Sequence, residues 1–486
     1  MSEHLKECGH ARAVWPDLCA VAPSPDLRER LNRELEEIRE RGPGSVNLLG
    51  MSHAPRMRGF DDATLFPADE YARGTPESTI RSAAADRAPL RGQVRVIVIP
   101  ADFSDRAMTT TNERLEELFF SLGAMEQGSV REYYREVTHG LVDIVGQVVE
   151  PVRLPRTLAW YANNNFGIGR PSGEARANIM ARDAVVKADP TVDFTPYDND
   201  GNGYVDACIV VHAGPSGDAT GNPGDIWAHK WTLPEVYNAD NTKVFAYLTV
   251  AEDAKIGVCA HELGHLLFGF PDLYDVDGTS EGVGNWCLMG AGSWGGGGAR
   301  PVHPSAWCKI RQGWVRETNV TANGTLRIPD VKTGFEVHRL WRGGEQGDEY
   351  FLVENRQRDD YDGALPTGGL LVWKVDERQP DNTDENHYKV ALLQADGKRD
   401  LERARNRGDA GDAYPGSTGN ASLTGSTNPN TRSYTGEDTE VAVTRISAPG
   451  AEMTATVAVR AEALVGETGT AGDGAGARRP LAATVR

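Results

Sequence analysis

His261 and His265 stand four residues apart in the stretch VCAHELGHLLFGFPDLYD, which runs from Val258 to Asp275. On a helix that spacing turns through about 400°, so both imidazoles leave one face about one turn apart. One metal ion can take a nitrogen from each. Glu262 follows the first histidine and is placed to reach a water on that metal. Zinc lowers the pKa of a bound water from about 15.7 to about 7, which supplies a nucleophile at neutral pH. Glu262 would take the proton and pass it to a leaving amine, so it is the candidate catalytic residue. The stretch predicts hydrolysis of a peptide bond by a metal-activated water. An amphipathic helix whose histidines merely share a face would carry the same five residues, and the flanking sequence argues against that. Gly269 can end the helix in a left-handed turn. Pro271 stops any continuation. Asp272 follows as the third ligand, leaving one coordination position for water.

HELGH at His261–His265, GFPDLYD at Gly269–Asp275 and WCLMGAGSW at Trp286–Trp294 together resemble the immune inhibitor A family of bacterial zinc metallopeptidases, which are metzincin-like. SVREYYREVTHGLVDIVGQV from Ser129, PSAWCKIRQGW from Pro304, EYFLVENRQ from Glu349 and LPTGGLLVWKVDE from Leu365 resemble it as well, so the likeness runs from about Arg95 to about Val459. The resemblance implies a zinc endopeptidase acting on proteins or peptides, with Met289 in a methionine-bearing turn beneath the metal. One departure stands out. Metzincins place a glycine three residues and the third ligand six residues after the second histidine. Here Gly269 is four and Asp272 seven residues after His265, with Phe268 as an apparent insertion and Asp275 as the substitute ligand. A binding protein that keeps the fold without peptidase activity is the alternative that the insertion motivates; the intact Glu262 weighs against it. A metal-dependent hydrolase of another bond is a third reading.

With 486 residues the chain has room for two to four domains. Its 51 basic against 70 acidic residues, formally −19, disfavour nucleic-acid binding and suit a calcium-binding protein. No apolar run is long enough to span a membrane. The first thirty residues lack the apolar core of a signal peptide, although the resembled family is typically secreted, so localisation stays open. Six cysteines are too sparse for a disulfide scaffold and read as buried thiols, with a Cys259–Cys287 bridge as one alternative. Near the start, His4, Cys8, His10 and Cys19 suggest a small metal site, and Cys8 a blocker of the zinc in a latent form.

The fold these residues require is α+β: a zinc peptidase domain with a mixed sheet and an active-site helix over residues 91–316, then a β-rich domain over 317–460. Residues 1–90 form a helical and loop-like segment, a candidate prosegment, with a charged helix at Asp26–Arg41 carrying a stripe of Leu27, Leu31, Leu35 and Ile38. Residues 461–486, rich in Gly, Ala and Thr, read as a disordered tail. Strands are expected at Val94–Ile99, Leu141–Val149, Ala207–Val211 and Val244–Val250, and helices at Thr111–Ser121, Ser129–Thr138, Gly173–Asp189 and Pro304–Trp314. Between them, YDNDGNGYVDA places Asp198, Asp200, Asn202, Tyr204 and Asp206 at the spacing of a calcium loop, with Ile209 where a bidentate glutamate would complete an EF-hand. A structural calcium turn is the expectation. Asp396, Asp400, Asp409 and Asp412 are a weaker candidate cluster.

Overall fold

The computed structural model describes residues 18–41, 89–169 and 173–461. His4, Cys8 and His10, most of the segment up to residue 90, and the tail from residue 462 lie outside them.

A seven-stranded mixed sheet carries the first half of the chain. Its strands are β1 (Cys19–Ala20), β2 (Gly92–Asp102), β3 (Val142–Val148), β4 (Val152–Arg153), β5 (Cys208–His212), β6 (His229–Ala239) and β7 (Thr242–Ala251). They lie in the order β1-β6-β7-β5-β2-β3, with β4 beside the end of β2. β2, β3, β4, β5 and β7 pair in parallel, and β6 and β1 add on antiparallel. The run VRVIVI of β2 is buried from Val96 to Ile99, as a strand covered on both faces should be. The expected strand at Val244–Val250 forms β7, whereas β6 has no counterpart in the expectations. Its sequence HKWTLPEVYNA carries Pro234 and a register shift between Thr232 and Tyr237, which breaks the alternation that marks a strand.

Helices cover both faces: α1 (Pro25–Arg41), α2 (Asn112–Phe120), α3 (Val130–Val137), α4 (Ala177–Ala188), α5 (Ile256–Phe268) and α6 (Ala306–Arg311). Ser129 caps α3 by accepting from the Glu132 amide, and Ser305 caps α6 through the Cys308 amide. Tyr133 and Tyr134 of α3 are fully buried, and their hydroxyls donate to Val302 O at 2.8 Å and Ala260 O at 2.6 Å. That pair fixes α5 and the loop after Met289 to a common support.

α5 has no exposed face; every residue from Ile256 to Phe268 is buried. A helix with no side-chain cap and a wholly buried surface depends on packing rather than propensity. Gly257 shows how tight that packing is. A Cβ there would lie 1.8 Å from the Ser293 carbonyl oxygen. We expect Gly257→Ala to destabilise the fold by about 1–3 kcal/mol or more through overpacking against backbone, read as a lower midpoint in chemical denaturation.

Beyond residue 315 the chain forms two further sheets. One has the order β13-β12-β11-β10-β8, with β8 (Arg316–Asn319), β10 (Glu336–Leu340), β11 (Glu349–Arg356), β12 (Gly369–Asp376) and β13 (Val390–Leu392). The other has the order β14-β15-β16-β9, with β9 (Gly324–Pro329), β14 (Ser422–Leu423), β15 (Ala442–Thr444) and β16 (Glu452–Ala458). β11 and β12 are buried along their whole length. Between the first sheet and the loop after Met289 lies a buried ion network. Arg356 donates to both oxygens of Asp362, Nε at 2.6 Å, and to His303 O at 3.4 Å. His303 O in turn accepts the Leu288 amide at 3.3 Å.

Candidate metal centre

α5 ends where the sequence says it should. Gly269 adopts φ 64°, the left-handed conformation, and its amide and that of Phe270 close the last turn onto His265 O and Gly264 O. Phe268 extends the helix by one residue instead of bulging the loop. Its ring is held by Trp314 at 4.9 Å and Tyr134 at 5.1 Å. The chain then doubles back through Pro271 and delivers Asp272 to the histidines.

The three donors converge. His261 Nε2 is 3.1 Å from Asp272 Oδ1, His265 Nε2 is 3.2 Å from the same oxygen, and the two Nε2 atoms are 3.0 Å apart. Both Nδ1 atoms face carbonyl oxygens, His261 toward Leu288 and His265 toward Phe270. A carbonyl can only accept, so both Nδ1 atoms carry their protons, and two Nε2 lone pairs point at each other and at a carboxylate. In a buried site that arrangement repels itself unless a cation lies between. A tetrahedral ion with bonds of about 2.0–2.2 Å holds its ligands about 3.3–3.6 Å apart, so the three donors need to part by only a few tenths of an ångström to admit one. The residues present therefore fit a metal.

Asp275 is elsewhere. Its Oδ2 accepts from the Ser280 amide and hydroxyl and from the Thr279 hydroxyl, and its Oδ1 from the Asp277 amide. It staples its own loop, and Asp272 is the carboxylate that stands beside the histidines. Burial first, then Asp277, pushes its pKa up to about 8.

Glu262 is fully buried, and neither carboxylate oxygen has a hydrogen-bond partner. Burial, with the charges of Asp272 and Asp218 adding, pushes its pKa well above the carboxylate range, while the nearby Val21 amide and Lys230 offset part of the rise. A buried acid with both oxygens orphaned carries a penalty that a fold tolerates at a working site.

Met289 lies beneath α5, its Sδ 2.9 Å from where a Cβ on Gly264 would sit. Its carbonyl accepts the Leu273 amide at 2.8 Å, tying the turn to the segment that carries Asp272. Cys287 organises the same turn as an acceptor for the Met289 and Ser305 amides. Cys259 and Cys287 are both thiols, so no bridge joins them.

Cys19, which the sequence groups with His4, Cys8 and His10, and Tyr274, to which it assigns no role, both stand at this centre. Cys19 brings its sulfur to within 4.8 Å of donor atoms of His265 and Asp272. Tyr274 has its ring 6.5 Å from His261 and donates its hydroxyl to Ala20 O at 2.6 Å. Tyr274 follows Asp272 by two residues, but nothing in its spacing signalled a role. His212 and His229 are fully buried and are not among the three converging donors, and burial lowers the pKa of each to about 4. His229 is engaged by the Tyr247 hydroxyl and Trp227 O.

At a distance, Asp198, Asp200 and Asp206 bring carboxylate oxygens within 4.8 Å of one another. Asn202 uses its side-chain oxygen to accept the Tyr204 amide at 2.9 Å, and Asp198 accepts the amides of Asn202 and Gly203. Asp396, Asp400 and Asp409 form a similar group, from which Asp412 departs to accept the Trp286 indole N–H.

Residues 111–320 match the family described as immune inhibitor A peptidase M6, catalytic domain. The pre-pro-metalloprotease PrtV of Vibrio cholerae serotype O1 is 29% identical over 249 residues, covering 43% of this chain and 27% of that protein. Immune inhibitor A of Bacillus thuringiensis subsp. alesti is 31% identical over 208 residues, covering 36% of this chain and 30% of that protein. The chain thus spans about three tenths of the length of these relatives. The matched stretch holds the two histidines, Glu262, Asp272 and Met289, so the candidate centre lies in the part of the chain that is similar to the immune inhibitor A peptidase M6 catalytic domain.

Proposed function

We propose that the protein is a zinc-dependent endopeptidase. The observation that carries the reading is the convergence of His261 Nε2, His265 Nε2 and Asp272 Oδ1 within 3.2 Å, beside an unpartnered Glu262. A zinc ion held by these three would acidify a water and polarise the scissile carbonyl. The chain's own groups do the rest. Glu262 receives the water's proton and carries it to the leaving nitrogen. The carbonyls of Leu288 and Phe270 hold both imidazoles in one tautomer and orientation. The wholly buried α5 keeps water from competing for Glu262. A binding protein without activity loses its motive, because Phe268 lengthens α5 and leaves the three donors together.

Tyr274 is the donor we assign to the oxyanion. Its hydroxyl already holds a main-chain carbonyl, that of Ala20, next to the centre. Tyr274→Phe should lower kcat by about 10²–10³-fold with KM little changed, measured on a fluorogenic peptide.

A calcium ion at Asp198, Asp200 and Asp206 would staple the turn before β5, with Asn202 and Tyr204 in the same loop. Millimolar calcium should then raise the thermal midpoint of wild type and not of Asp206→Asn, as linkage requires of a ligand that binds only the folded state.

The peptidase reading is tested by metal analysis of the purified chain with casein digestion before and after chelation. Stoichiometric zinc and cleavage restored by added zinc are expected. Bound zinc with no cleavage of any member of a peptide library would end the reading.

A further inference from the structure

Cys287 and Cys308 meet at Ser305. Cys287 lies in the turn before Met289, and Cys308 in the first turn of α6. The Ser305 amide donates to Cys287 Sγ at 3.1 Å, and the Ser305 hydroxyl to Cys308 Sγ at 3.4 Å. The Met289 amide adds a second main-chain donor to Cys287 Sγ at 3.3 Å, and the Cys308 thiol donates to the same sulfur. Both side chains are fully buried, and both are free thiols.

All of these bonds run one way. Ser305 donates to Cys308, Cys308 donates to Cys287, and two amides converge on Cys287 as well. A neutral thiol is only a weak acceptor, whereas a thiolate is the species that three converging donors suit. The Arg356 guanidinium lies close enough for its charge and that of a Cys287 thiolate to support each other. Burial raises the Cys287 pKa, but the bonds from Cys308, Met289 and Ser305 outweigh it and hold the group below the usual thiol range. Burial first, and then the bond to Cys287, raises Cys308 well above that range. The thiolate is the nucleophile in sulfur chemistry, so one member of the pair is set to attack and its neighbour to resolve. Cys208 and Cys259 are in the opposite condition, each pushed up by burial.

We propose that Cys287 and Cys308 form an oxidation site, which a hydroperoxide converts to an internal disulfide. The Cys287 thiolate attacks the O–O bond of the peroxide; a sulfenic acid forms and hydroxide leaves. The Cys308 thiol then attacks that sulfur, the S–S bond forms, and the sulfenic oxygen departs as water. The two sulfurs together give up two electrons, and these reduce the peroxide. Hydrogen peroxide is small enough to enter through the local opening by which a buried group meets solvent. The new bond draws the sulfurs from hydrogen-bond contact to about 2.05 Å and pulls the turn toward α6. Leu288 is next to Cys287, and its carbonyl holds His261. Closure of the disulfide therefore lowers turnover, and this effect alone rests on the metallopeptidase reading above.

The native full-length chain is treated with hydrogen peroxide, alkylated under denaturing conditions and digested for mass mapping. The peptides carrying Cys287 and Cys308 should appear joined, lighter by two hydrogens, before Cys208 or Cys259 is modified. Cys308→Ala lacks the resolving thiol, so dimedone should capture its Cys287 as a sulfenic acid, with little adduct on wild type. Cys308→Ser, closer in shape, repeats the capture should the alanine variant fold poorly. Casein hydrolysis by oxidised wild type should fall by about tenfold to a hundredfold, the order of loss that a shift of about 1 Å in supporting structure causes, and should return with a phosphine reductant. Separate peptides, both still alkylated, after peroxide has oxidised the half-buried Met108 and Met125, overturn the site. Joined peptides with unchanged hydrolysis overturn the effect on turnover. Joined peptides with no hydrolysis before or after treatment leave the disulfide site standing and remove the peptidase reading instead.

Discussion

Glu262→Ala should lower kcat by roughly 10²–10⁴-fold while the chain keeps its metal. The side chain is not one of the three converging donors, so metal content should stay stoichiometric by elemental analysis. The same change should not weaken the fold. Glu262 is fully buried with neither oxygen hydrogen-bonded, so removing it relieves a desolvation cost. Glu262→Gln keeps the shape and cannot take a proton; it should match the alanine variant in activity and equal or exceed wild type in thermal midpoint. Stability held at a site where activity vanishes is the signature of a group kept for function. Wild-type turnover by either variant would remove Glu262 from the chemistry.

The largest expected loss of stability lies at Arg356, outside the three converging donors. Its side chain is wholly buried, and so is Asp362, to which it is bidentate. Burial alone would raise the Asp362 pKa, yet Arg356 holds it well below the carboxylate range. Arg356→Met leaves that carboxylate, and Glu354 beside it, without the cation. Removing one partner of a buried pair costs about 3–5 kcal/mol, against about 1 kcal/mol or less for an exposed pair such as Arg33–Glu29. Denaturation of Arg356→Met should show a loss in that range. The Arg356→Met, Asp362→Leu double variant should recover much of it, because no charge is then stranded between these two. Loss of metal affinity should accompany the single change, since Arg356 supports His303 and His303 O holds Leu288, whose carbonyl orients His261.

What the sequence showed of the site, it showed through local geometry. His261, Glu262 and His265 share one helix, so their spacing alone fixes their relative placement. Gly269 and Pro271 mark the helix end by backbone rules that hold in any fold. Asp272 against Asp275 could not be settled that way, because the choice depends on how the chain turns after Pro271 and on Ser280 and Thr279 claiming Asp275. Cys19 was out of reach for a stronger reason. It lies more than two hundred residues from β6, and no periodicity links a two-residue strand to its partner. β6 was itself obscured by Pro234 and its register shift. Tyr133 and Tyr134 were legible as core aromatics, but their hydroxyl bonds to Val302 and Ala260 were not, since a carbonyl leaves no mark in sequence. The calcium-like spacing at Asp198–Asp206 was legible as a loop whose carboxylates gather.

Phe268 has a wider consequence. An added residue between a histidine pair and its third ligand would ordinarily be expected to rotate that ligand about 100° around the helix axis and off the metal. Here the extra rise is absorbed as one more helical position, locked by Trp314 and Tyr134, and the chain reversal after Gly269 resets the direction of approach. A search signature with a rigid gap between the second histidine and the aspartate would pass over every chain built in this way. Letting that gap vary by one, and requiring an aromatic in the added position, would recover them.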